Sequence, residues 1–155
     1  MEIIVNSINQ TYGENEQTNQ VIVALSGNST SGNGDYLSSS VNVTAKDLPQ
    51  GKTFDDVLDS EIETLARKKL ADYAAGAMNI RVSSINRVFN QSGETVNAVV
   101  SMVGTASDGS GDYINYRKTI TSADLPEGKT FAEMSAGALK ALAKVQLVND
   151  TKVVA

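Results

Sequence analysis

The residues Gly51-Lys-Thr53 lie within the stretch DLPQGKTF (Asp47 to Phe54) and are the three letters that close a phosphate-binding loop. Such a loop also needs a glycine five positions before Gly51, where the missing side chain lets backbone amides wrap the phosphates. Lys46 occupies that position. The stretch returns 77 residues later as DLPEGKTF (Asp124 to Phe131), and there the position is Ala123. Neither copy can cradle a phosphate in this way. Pro-x-Gly instead reads as a turn, and Thr53 and Thr130 read as helix caps, with Asp56 and Glu133 three residues on to return a hydrogen bond.

Other chemistry is thin. With no histidine and no cysteine among 155 residues, Ser/His/Asp and Cys/His sets are excluded, as are thiolate metal sites. The pair Asp55-Asp56 falls at an expected helix start, where acidic residues favour the macrodipole. The loop Asp108-Gly-Ser-Gly-Asp112 resembles a fragment of a calcium loop, but no bidentate glutamate follows at loop spacing. Its counterpart Ser31-Gly-Asn-Gly-Asp35 keeps only the second carboxylate, so the glycines are read as turn residues of a strand connection. Tyr36 and Tyr113 follow those aspartates and are candidates for a paired recognition surface at loop tips. No catalytic residue, cofactor site or metal site is identified, and a protein that is not an enzyme is expected.

The shared motif is part of a longer internal repeat. Met1 to Asn9 faces Met78 to Asn86, and Gly32-Asn-Gly-Asp-Tyr36 faces Gly109-Ser-Gly-Asp-Tyr113, at the same offset. The expected organisation is a tandem duplication, residues 1–77 and 78–155, forming a pseudo-dimer. Each half reads β-β-β-α. Ile3 and Val5, like Ile80 and Val82, alternate with polar residues, and the parity change at Ile8 and Ile85 calls for a bulge near Ser7 and Ser84. A second strand covers Val21–Leu25 and Ala98–Met102, with odd positions inward in the first and even positions in the second. Third strands run from Tyr36 to about Thr44 and from Tyr113 to about Thr121. Helices are expected from Phe54 to Tyr73, with an apolar stripe through Leu58, Ile62 and Leu65, and from Phe131 to Val148, with Leu139 and Leu142 in the core. The fold class is α+β, one compact unit about a pseudo-twofold.

The two halves differ in ways that bear on function. Where the first helix has Glu61, Thr64, Lys68 and Ala71, the second has Ala138, Ala141, Val145 and Val148. These four widen the apolar stripe of the second helix beyond what one sheet requires. Either a partner covers them, or the first half's sheet or the C-terminal tail does. Charge diverges too. The first half has eleven acidic and five basic residues, a net of -6, and the second has seven acidic and eight basic, a net of +1. That contrast suits head-to-tail association, with the acidic half of one protomer near Arg81, Arg87, Arg117 and Lys118 of the next. The three arginines are expected to point outward from strands.

The chain as a whole is acidic, with a net charge of -5, which is unsuited to nucleic acid. Its start, MEIIVNSINQ, is too short and polar for a secretory segment, and no apolar run approaches membrane-spanning length. A soluble protein without nucleic-acid, membrane or small-molecule partners is expected.

Rich in Asn, Ser, Thr and Gly, lacking His and Cys, and built by duplication, the chain resembles small accessory or structural proteins of tailed bacteriophages. The resemblance implies a virion component, head-decoration or tail-associated, that forms a homo-oligomer or docks on other structural proteins. Its location would then be the virion, or the cytoplasm if the chain is not phage-encoded. The alternative is an acidic inhibitor or ligand-binding module acting on a host protein through a groove between the halves.

Overall fold

A computed structural model describes residues 1–153. Six antiparallel strands form one sheet: β1 (Glu2–Tyr12), β2 (Thr18–Asn28), β3 (Tyr36–Val43), β4 (Ile80–Phe89), β5 (Thr95–Thr105) and β6 (Tyr113–Ile120). Their order across the sheet is β1-β2-β3-β6-β5-β4, so the sheet is two meanders joined through β3 and β6. Two helices, α1 (Asp59–Asp72) and α2 (Ala136–Thr151), complete an α+β fold.

Alternation decides which sheet face is covered. Val21, Val23 and Leu25 of β2, and Ala98, Val100 and Met102 of β5, are buried together with Ile62, Ala66 and Leu70 of α1 and Leu139, Ala143 and Leu147 of α2. The odd and even parities expected for β2 and β5 are those observed. Both helices therefore lie on one face, and among the described residues none forms a layer over the other face. Bulges interrupt the pairing between Val5 and Ser7 and between Val82 and Ser84. At these points the chain shifts parity, so that Ile8 and Ile85 reach the same face as Val5 and Val82.

The DLPxGKTF stretches are turn-and-cap devices. Asp47 Oδ2 accepts from the Thr44 amide at 2.8 Å and closes one helical turn, and Asp124 does the same with Thr121. A turn with Gly51 at φ 82° follows, matched by Gly128 at 77°, a left-handed conformation that glycine adopts without strain. Asp56 then accepts from the Thr53 amide at 2.9 Å, and Glu133 from Thr130 at 3.0 Å. The caps are as expected, but they close isolated 3-10 turns at Phe54–Asp56 and Phe131–Glu133. The α-helices begin later, because Val57 and Leu58 are extended. A second cap is needed there: Glu61 accepts from the Leu58 amide at 2.8 Å, and Ser135 Oγ accepts from Ala138 in α2. Leu58, expected in the apolar stripe, is consequently 68% exposed.

Candidate functional site

The seam between β3 and β6 is only five residue pairs long, from Tyr36 opposite Arg117 to Ser40 opposite Tyr113. Beyond it the two strands diverge from the ladder, and main-chain amides at Asn42 and Thr119 need other acceptors. The Gly-x-Gly-Asp-Tyr loops supply them. Asp112 Oδ1 accepts from the Asn42 amide at 2.8 Å, and Asp35 Oδ1 accepts from the Thr119 amide at 2.6 Å. Each carboxylate thus crosses from one half to the strand of the other. Both are buried.

The second oxygens are also engaged. Tyr73, just past α1, donates its hydroxyl to Asp112 Oδ2. Asp35 Oδ2 lies 3.3 Å from Lys118 Nζ, an ion pair out of line for a hydrogen bond. Burial, reinforced by Asp112, pushes the Tyr73 hydroxyl well above its ordinary pKa. Tyr116 is raised in the same way, by burial first and then by Asp150, to which it donates at 2.6 Å.

These bonds give the loops a structural task that sequence reasoning missed. The available signal was the aspartate before tyrosine kept in both halves, whereas the glycines drew the attention. A calcium ion would compete with the Asn42 amide and the Tyr73 hydroxyl for Asp112. Asp108 is exposed, and hydrogen bonds from the Ser110 side chain and amide hold its pKa low. No group of three or more metal-ligating side chains occurs among the described residues.

Two basic residues expected at an electrostatic surface are engaged within the chain. Arg87 does not point outward. It lies opposite Ala98 on the helix-covered face, and its guanidinium donates to the Met134 carbonyl at 2.6 Å and the Phe131 carbonyl at 3.4 Å. Lys118 is committed to Asp35. Arg117 is on the open face, donating to Gly34 O at 3.1 Å, and Arg81 is exposed there. The head-to-tail contact expected from all four residues therefore has fewer free cations than the sequence suggested.

The four apolar residues singled out on α2 divide. Ala138 is half-buried against the core, while Ala141, Val145 and Val148 are exposed, the two valines by 56% and 39%. Their i, i+4, i+7 spacing puts these three on one stripe. Neither the sheet nor the described part of the tail covers them. Val145 and Val148 form one wall of a cleft of about 620 Å³, with Ala74, Met78 and Ile80 opposite. The corresponding cleft of the first half, about 470 Å³, is more polar, with Glu2, Arg67 and Asp150 in its wall. There Arg67 donates to the Ile3 carbonyl at 2.6 Å.

Comparison with known proteins gives no match to a family model, a curated protein or a solved structure.

Proposed function

We propose that the protein is a non-enzymatic structural component, arisen by tandem duplication of a β-β-β-α unit, that assembles with copies of itself or with other structural proteins. In this reading it is a head-decoration or tail-associated part of a phage virion. The observation that carries the assembly reading is the exposed stripe Ala141, Val145 and Val148 beside an apolar cleft. Fully burying an exposed valine is worth roughly 1.5–3 kcal/mol, so covering the exposed parts of Val145 and Val148 together with Ala141 and a cleft wall makes a useful contact. The first half has Thr64, Lys68 and Ala71 at the matching places. One helix has gained a contact surface that the other lacks.

Support for a non-catalytic role comes from the carboxylates. The two most buried, Asp35 and Asp112, are tied to main-chain amides across the seam. Such groups hold strands together and are poorly placed to exchange protons with a substrate. Duplication is supported by the common 77-residue offset of the DLPxGKTF turns, the bulges and the cross-seam aspartates.

The test is absolute mass in solution over a concentration series, by light scattering after size exclusion, for the wild type and Val145→Glu. The wild type should exceed the mass of one chain, and Val145→Glu should lower the mass reached at high concentration. A wild type that stays monomeric throughout removes self-association. In that case, the cleft becomes the candidate site of an inhibitor or binding module for a host protein. Detection of the chain in purified phage particles, by mass spectrometry, tests the virion reading.

A further inference from the structure

The open face of the sheet has a composition unlike that of an ordinary solvated surface. Its residues fall on rungs that cross five or all six strands. The middle rung runs Ile4, Ser26, Ser38, Asn115, Val103, Arg81. A neighbouring rung runs Glu2, Asn28, Tyr36, Arg117, Ser101, Ser84, and on the other side Ser7, Ala24, Ser40 and Tyr113 continue to Thr105. The chain has 18 acidic and 13 basic residues. Among the described residues on these rungs, only Glu2, Arg81 and Arg117 are charged. Ile4 is 50% exposed, Tyr36 and Tyr113 are also exposed, and most of the rest are Ser, Asn, Thr, Ala or Val. Depleted charge with retained tyrosine and arginine is shared with interface centres, and the serines add hydroxyls that can pair across one.

We infer that a second copy of this chain stacks on the open sheet face, making a four-layer dimer with helices outside and two sheets within. The inference rests on the self-association proposed above but uses a different surface. Size fits. Six strands about 4.8 Å apart and about eight residues long cover roughly 800 Å², and a stable interface takes about 800 Å² from each partner. Sheets stack about 10 Å apart, a distance that short Ser, Ala, Thr and Val side chains can fill from both sides.

The rungs also choose the orientation. The two rungs flanking Ser38–Asn115 are related by a half-turn about that pair. A dimer twofold running along the strands would set Ser38 of one copy over Asn115 of the other, where hydroxyl and amide can hydrogen-bond. Arg117 would lie over the ring of Tyr36, a cation–π arrangement. Arg81 would lie over Ile4, and Glu2 over Ser84. A twofold running across the strands would instead press Arg81 against its own copy, a like-charge contact that disfavours that orientation. The first orientation leaves α2, with Ala141, Val145 and Val148, on the outside of the dimer and free for a further contact.

The experiment compares light-scattering mass for the wild type, Ser38→Lys and Val145→Glu, each checked for native far-ultraviolet circular dichroism and cooperative unfolding. The inference expects Ser38→Lys to shift the dimer midpoint to at least a hundredfold higher concentration, leaving the 16.4 kDa chain at working concentrations, while Val145→Glu keeps at least a dimer. Because the chain has no cysteine, Ser38→Cys can be treated with a bismaleimide of about 10 Å span, matching the sheet separation. Covalent dimer should form, and a Lys140→Cys control on α2 should give little. An unchanged mass for Ser38→Lys, or no cross-link at residue 38, overturns the inference. If Val145→Glu alone yields monomer, assembly through α2 stands and the stacked-sheet dimer falls. A wild type that is monomeric throughout overturns the dimer and leaves docking on a different protein through α2.

Discussion

Ser38 of β3 lies directly opposite Asn115 of β6, and the two are 77 positions apart, the same offset that carries Asp47 to Asp124. This pair stands at the centre of the five-pair seam. Tyr36 opposite Arg117 and Ser40 opposite Tyr113 follow from that relation. So do the crossed carboxylates, since Asp35 reaches Thr119 and Asp112 reaches Asn42 at matching places. The seam holds the sheet together with few ladder bonds, and its two ends depend on single side chains.

Replacement of Asp112 tests that dependence. Asp112→Ala removes the acceptor for the Asn42 amide and the partner of the Tyr73 hydroxyl, both buried. Each unsatisfied buried group costs about 1–3 kcal/mol, so the expected loss is roughly 2–6 kcal/mol by urea denaturation. Asp112→Asn keeps an acceptor for the Asn42 amide and should lose clearly less. Equal losses for the two variants would mean that the carboxylate charge, and not the amide bond, holds the seam.

In α2 the leucine expected in the core from sequence, Leu142, is less buried than Leu147, which the sequence did not single out. Leu147 is fully buried, whereas Leu142 is only half-buried against the core. Leu147→Ala should cost about 2–5 kcal/mol, the range for a truncated core leucine. Leu142→Ala should cost less than half as much, by thermal or chemical unfolding. Comparable values would place Leu142 deeper in the core than its exposure indicates.

Much of this architecture was legible in the residues. Alternation at Val21, Val23 and Leu25 gave the buried parity of β2, and Ile8 falling out of step gave the bulge at Ser7, because both signals are local to one strand. Helix starts were less legible. Thr53 and Asp56 carry a complete capping pattern, yet the extended Val57 and Leu58 separate that turn from α1, and propensity at two residues could not show it. Arg87 was misplaced for a related reason: its side is fixed by the bulge, and its partners are carbonyls 44 and 47 residues away. The cross-seam aspartates depend on which strands pair across the halves, a long-range relation that no spacing within one half contains.

Alkaline pH gives a spectroscopic test of the buried tyrosines. Tyr73 and Tyr116 have pKa values raised above the ordinary 10.0, by burial and then by Asp112 and Asp150. A raised folded-state pKa means that the folded protein keeps the proton more tightly than the unfolded chain. Their contribution to stability is therefore full below about pH 10 and is lost as pH rises above it. Of the five tyrosines, these two should ionise only together with unfolding when absorbance at the phenolate band is followed. In Tyr73→Phe, one of the two late ionisations should disappear. Complete ionisation of all five while far-ultraviolet circular dichroism is still native would show that both hydroxyls are open to water.

The N-terminal ammonium donates to Asp150 Oδ1 at 3.3 Å, and Met1, Ile3, Lys152 and Val153 share the wall of one cleft. The same place in the second half is where Ala74 to Gly76 lead on towards Met78 and β4. A continuous chain thus makes, in the second half, the crossing that two separate ends make in the first. Joining residue 155 to Met1 through about four added residues, which span roughly 13 Å when extended, should be tolerated, with a new start at Met78. The break would fall at the link after Gly76, where the left-handed φ of 131° would no longer be enforced by chain continuity. The permuted protein should unfold in a single cooperative transition, within a few kcal/mol of the parent, and retain Asp35 and Asp112 as cross-seam acceptors. Failure to fold, or two separate transitions, would show that the two halves are not interchangeable in chain order and would count against their descent from one repeated unit.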